Sequence, residues 1–200
     1  AVTNLSFTNN TGASISWPSG TQVLAAFTSG DYKEVYFETI EAITELANGA
    51  SVTVAAVEGR TANTLTEDGL DSATFLPLPV LLSDASGSSV SNGTANQERT
   101  LDESGIVDGS VKVYVGQGTS FMGWRYVDNL VEAGPLDQVF TTRPNPSGTT
   151  TVIFGDGING AIPTTGNTLS ALYKVSSGYG GNIPAHTATN ITYVPGIGTV

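Results

Sequence analysis

The chain contains no cysteine and a single histidine. Without cysteine there are no disulfides and no thiolate metal sites, and the redox compartment stays unread. His186 follows Pro184-Ala185 in a loop-like stretch and is the only imidazole that could serve a Ser-His-Asp triad as base. No G-x-S-x-G elbow accompanies it, so His186 reads as a surface or packing residue. Positive charge is also sparse. Lys and Arg number seven against 18 acidic residues, for a net charge of −11, and they are scattered as Lys33, Arg60, Arg99, Lys112, Arg125, Arg143 and Lys174. No basic patch exists to meet a phosphate backbone, so no nucleic-acid partner is expected. Excess acid favours solubility without naming a function. No apolar run reaches the roughly 18 residues of a transmembrane helix, so no membrane association is expected. The opening Ala1-Val2-Thr3-Asn4 lacks the charged region and apolar core of a signal peptide. It begins in mid-strand fashion without an initiator Met, and the expectation is a processed chain or an excised fragment.

What is present is turn chemistry and β-branched residues. The 200 residues include 24 glycines and 9 prolines, only 12% are charged, and Thr, Ser, Val and Gly dominate. This composition predicts an all-β (mainly β) fold: short antiparallel strands in one or two β-sandwich- or barrel-like domains, with little helix. Short strands punctuated by turns fill residues 1–39, and Ser51 to Val57 alternates cleanly. Residues 38–47 are ambiguous. Ile40, Ile43, Leu46 and Ala47 stand near helical spacing before Gly49, but the flanking Thr and Ile residues suit a strand, which is favoured. Residues 58–74 read as polar loop. Phe75 to Leu82 carries Pro77 and Pro79, which cannot donate ladder bonds, so it reads as an edge strand or extended packed segment. Residues 83–96 are the most linker-like stretch. Beyond them, Ser110 to Val115 alternates most cleanly, with Val111, Val113 and Val115 on one face; strands at Trp124 to Val131, Val139 to Thr142 and Ile191 to Val194 follow.

The chain centres on Thr149 to Pro163, T-T-T-V-I-F-G-D-G-I-N-G-A-I-P. It opens as a strand through Phe154. Gly155, Gly157 and Gly160 then allow positive φ, and Asn159-Gly160 is a hairpin signal. Asp156, between two glycines, is placed to accept backbone N–H bonds across the turn. A second strand, Thr168 to Val175, leads to the turn Gly178-Tyr179-Gly180-Gly181-Asn182.

None of this assembles into catalytic chemistry. Glycosidases place two carboxylates about 5 to 9 Å apart across a cleft. The clusters Glu67, Asp68, Asp71 and Asp102, Glu103 lie in polar loops and read as solvated turns. D-G-I-N-G at Asp156 to Gly160 departs from an EF-hand loop, because Ile158 takes a ligand position and no acid closes the loop. The 178–182 turn lacks the Lys-Ser/Thr and the helix of a phosphate cradle and reads as a strand connection. Trp124, Tyr126 and Tyr179 are candidates for stacking on a sugar, with core packing the better reading for Trp124. No catalytic residue, no cofactor and no metal is expected.

The run Val152-Ile153-Phe154-Gly155-Asp156-Gly157-Ile158-Asn159-Gly160, followed by Pro163 and Gly166, resembles the signature of the baseplate J-like family of bacteriophage tails and related contractile injection machines. Further pieces follow in the family's order. Gln97 and Leu101 precede Val111 to Val115; Trp124, Val127 and Asp128 lead to Gly134-Pro135 and Val139-Phe140; Tyr173 and Gly178-Tyr179-Gly180-Gly181-Asn182 come last. Gly20-Thr21, Phe37 to Thr39 and Val52 to Gly59 are similar to its opening strands. The resemblance covers most of the chain, although family members usually run longer at both ends.

The resemblance implies a non-enzymatic structural protein of the virion, in the tail baseplate, a homo-oligomer in a symmetric ring that packs against other baseplate and tail proteins. On that reading Phe154, Gly155, Asp156, Gly157, Asn159, Gly160, Gly180, Gly181, Asn182 and Trp124 are candidate structural-turn or interface residues. The alternative is a receptor- or glycan-binding β-domain. The expected division is a base domain from 1–59 plus 183–200 carrying an inserted β-domain, 60–182; the competing division is 1–82 and 97–200 joined by linker 83–96.

Overall fold

The structure, a computed structural model, describes residues 2–26, 34–62, 79–176 and 190–193. Its strands are β1 (Val2–Thr8), β2 (Ile15–Trp17), β3 (Gln22–Ala26), β4 (Glu34–Thr39), β5 (Ile43–Leu46), β6 (Ser51–Glu58), β7 (Arg60–Ala62), β8 (Val80–Leu81), β9 (Glu98–Thr100), β10 (Lys112–Gln117), β11 (Ser120–Tyr126), β12 (Val139–Pro144), β13 (Thr150–Phe154), β14 (Thr168–Val175) and β15 (Asn190–Tyr193). The only helical piece among the described residues is the 3₁₀ turn Leu130–Glu132. The fold is nearly all β, with several antiparallel sheets and one curled half-barrel sheet. Two compact units are present: Ala1–Leu78 with Ser176–Val200, and Pro79–Val175.

In the first unit an antiparallel sheet runs β1-β6-β4-β3-β15, and β2 and β5 form a separate two-stranded ribbon. Alternation in β1 buries Leu5 and Phe7, and in β6 Val54 and Ala56. These join Val23, Val35 and Phe37 from the sheet and Trp17, Ile43 and Leu46 from the ribbon in one core. The Phe7 and Trp17 rings meet edge to face at 5.2 Å. The ribbon explains the helix-like spacing of residues 38–47. Ile15 pairs Leu46 and Trp17 pairs Ile43, so β5 spends one more residue than β2 over the same distance. A bulge of this kind lets Ile43 and Leu46, three apart, both point inward. Asn9 is buried at the ribbon's end; its amide donates to the carbonyls of Ala13 and Leu46, both at 2.7 Å, and its Oδ1 accepts from Thr11.

In the second unit the order is β14-β10-β11-β12-β13-β9, with β8 on the outer side of β14. Val113, Val115, Trp124, Phe140, Val152, Phe154, Leu169, Ala171 and Tyr173 are buried on one face, and Val139 is buried on the other. Every described pairing here is antiparallel except one: β12 runs parallel to β11, Arg125 opposite Val139 and Tyr126 opposite Phe140. A parallel neighbour needs a connection of about a dozen residues, and residues 127–138 supply it. For the same reason the strand expected over 124–131 ends at Tyr126, where the crossover begins. Residues 83–96 belong to this unit and do not form a free linker. Ser91 N–H donates to Asn167 O at 2.8 Å, Leu169 N–H to Ser89 O at 2.8 Å, and the buried Ser91 hydroxyl to Pro163 O at 2.6 Å. Short polar side chains, which read as linker by composition, here satisfy backbone groups locally.

Candidate interface loop

β13 is the strand that launches the Gly/Asp/Asn loop. Both its edges are paired, to β12 through Phe140–Phe154 and to β9 through Thr151–Thr100. The Phe154 side chain is fully buried and meets Trp124 edge to face at 5.3 Å and 83°. Both aromatics are therefore core, and Trp124 offers no face to a ligand.

Past Phe154 the chain closes on itself. Gly157 N–H donates to Gly160 O at 2.9 Å. Asp156 Oδ1 accepts from the N–H groups of Ile158 (2.8 Å) and Asn159 (2.7 Å), and Oδ2 accepts from Asn159 Nδ2 at 3.2 Å. These bonds hold the Asp156 carboxyl below its ordinary value, the Asn159 backbone N–H contributing most. Gly157 and Gly160 take positive φ as expected, but Gly155 does not. Its requirement is close approach: a Cβ at Gly155 would fall on the carbonyl of Gly160. At Gly160, φ is +85° and a Cβ would stand 3.0 Å from Val139 Cγ2.

The hairpin expected from Asn159-Gly160 does not form. With both edges of β13 taken, β14 crosses to pair with β10 and β8. The loop instead docks on its neighbours. Gly160 N–H donates to Gly134 O at 3.1 Å, Ala161 N–H to Asp137 O at 2.8 Å, and Asn96 N–H to Gly155 O at 3.1 Å. The 134–137 turn is capped in turn, Gly134 N–H donating to Asp137 Oδ2 at 2.8 Å, and the 3₁₀ turn is capped by Asn129 Oδ1 accepting from Val131 N–H at 3.1 Å. The 155–161 loop and the 134–137 turn are thereby held together, the internally bonded 3₁₀ turn directly precedes the latter in the chain, and each exposes an apolar side chain: Ile158 is 73% exposed, Leu136 87% and Val131 71%. Sequence reasoning missed these three. The only signal for them was an apolar residue at a turn tip, which single residues on ordinary surfaces also give.

A buried polar network supports the loop from below. Gln97 Nε2 donates to Ser91 Oγ at 2.9 Å and Arg99 Nη2 to Gln97 Oε1 at 3.1 Å, while Arg99 Nη1 reaches Glu98 O at 2.8 Å. On another part of this unit an open groove of about 380 Å³ is lined by Val107, Asp108, Tyr126, Thr142 and Pro144 among others. Tyr126 packs edge to face on Phe140 at 5.8 Å, and its hydroxyl titrates above the usual tyrosine value because it hydrogen-bonds Asp128. Asp102 is exposed in the turn after β9. Gly180, Gly181 and Asn182, with Tyr179, His186, Glu67, Asp68 and Asp71, lie outside the described residues. No helix among the described residues is long and apolar enough to cross a membrane. No protein-family model matches the chain, and no curated protein is significantly similar to it.

Proposed function

We propose that the chain is a structural protein of a bacteriophage tail baseplate, acting in the virion by packing with symmetry-related copies and neighbouring tail proteins around the hub, with no enzymatic step. The ordered resemblance to the baseplate J-like family supports this reading, and the interface loop is the observation that carries it. Ile158, Leu136 and Val131 are apolar, exposed, and mounted on loops already held by backbone hydrogen bonds. Exposed apolar area marks contact surfaces, and a preformed loop loses little entropy on docking. The test is sedimentation of the intact chain mixed with its neighbouring tail proteins. Discrete mixed assemblies are expected, and the combined change Val131→Ser, Leu136→Ser, Ile158→Ser should abolish them without altering the melting curve. A chain that ignores those proteins overturns the reading.

The second reading, a receptor- or glycan-binding β-domain, is favoured by the groove beside Tyr126, where an exposed ring lies near Asp108 and Thr142. Binding on a glycan array that is lost in Tyr126→Ala would favour it.

A further inference from the structure

We infer that two copies of this chain join through the free edge of β11, extending the sheet across a two-fold axis at Met122. β11 is paired along one side to β10 from Ser120 to Trp124, whereas β12 reaches it only at Arg125 and Tyr126. Residues 120–123 therefore have an unpaired side among the described residues. The groups facing that side follow from strand geometry. Arg125 N–H donates to Gln138 O and Val127 N–H to Phe140 O, so odd-numbered residues face β12. By the two-residue period, Phe121 and Gly123 aim their N–H and C=O groups into the open edge, and Met122 faces β10.

This edge is complementary to itself. In an antiparallel pairing with Met122 opposite Met122 of the second copy, Phe121 stands opposite Gly123 and Gly123 opposite Phe121. Each of these pairs can exchange both backbone hydrogen bonds. The Phe121 ring then covers the bare backbone of the opposing glycine, a known way of shielding an edge glycine. Phe121 and Met122, 42% and 57% exposed, lose that exposure. Charge does not oppose the pairing. Residues 113–124 carry no ionised side chain, so a seam centred on Met122 brings no like charges directly together. The strand also lacks the lysine, proline or inward charge that ordinarily protects an edge. The unpaired side of β1, by contrast, is flanked mainly by exposed polar residues, Thr3, Asn4, Ser6 and Thr8, with Val2 exposed at its end. A two-fold contact of this kind is isologous and closes at two copies.

The inference does not rest on the baseplate reading, since it needs only the chain itself. It is tested on the full chain without partners. Met122 of the two copies occupies a non-hydrogen-bonded pair, whose Cα separation of about 4.5 Å lies within disulfide range. The chain has no cysteine, so Met122→Cys can form only an intermolecular disulfide. Oxidation should convert Met122→Cys to a covalent dimer and leave the exposed control Ser147→Cys monomeric. The unmodified chain should sediment as a concentration-dependent dimer, and Met122→Lys should lose the dimer with an unchanged melting curve. A monomer at every concentration, or cross-linking of Met122→Cys no faster than of Ser147→Cys, overturns the inference.

Discussion

Asp156 gathers three N–H groups with one carboxylate, and this has a measurable pH signature. Its folded-state value lies below the unfolded 3.8. Its contribution is therefore complete above the unfolded value and is lost as pH falls through the folded one. Asp156→Asn should melt lower than the unmodified chain at neutral pH, and the gap should close as pH drops below 3.8. The comparison must be a difference, because Asp84, held low by the Ser86 hydroxyl and then by the N–H groups of Ser88 and Ser86, titrates in the same window. Gly155 gives a second residue-level prediction. Gly155→Ala forces the loop off Gly160 and should destabilise by about 1–3 kcal/mol. Gly134→Ala, whose Cβ would meet Asp137 Oδ2 at 3.5 Å, should be nearly neutral in the same denaturant titration.

Among the elements, β13 is the one on which the loop depends. It lies between two paired neighbours and places Phe154 against Trp124. Phe154→Ala should cost about 3–5 kcal/mol by chemical denaturation. A double-mutant cycle with Trp124→Leu should return a coupling of about 0.5–1.5 kcal/mol for the edge-to-face pair. This element was readable from its β-branched run, as was β10 from alternating valines. The pairing of β13 was not, because Asn159-Gly160 carries only local turn propensity and neither edge's occupancy is local. Nor was the β5 bulge, since inward residues three apart look the same in a bulged strand and in a helix turn.

At the scale of the whole molecule, two separate cores in one chain predict two separable unfolding events. Limited proteolysis should leave a resistant piece close to Pro79–Val175, and calorimetry should depart from a single two-state transition. One cooperative transition with no resistant piece would contradict independent cores. The polar network of Ser91, Gln97 and Arg99 belongs to the middle piece and should protect residues 86–97 from hydrogen exchange there.

By itself the sequence determined the all-β class, most of the strands, and the tight Gly/Asp turn, because β-branched alternation and positive-φ glycines act over a few residues. It also determined that no cysteine chemistry is possible. Tertiary structure alone decided which strands pair, that β12 lies parallel to β11, that Gly155 is needed for close approach, and that Ile158, Leu136 and Val131 face solvent. Pairing and exposure depend on residues distant in the chain meeting in space, and local propensity carries no term for that meeting.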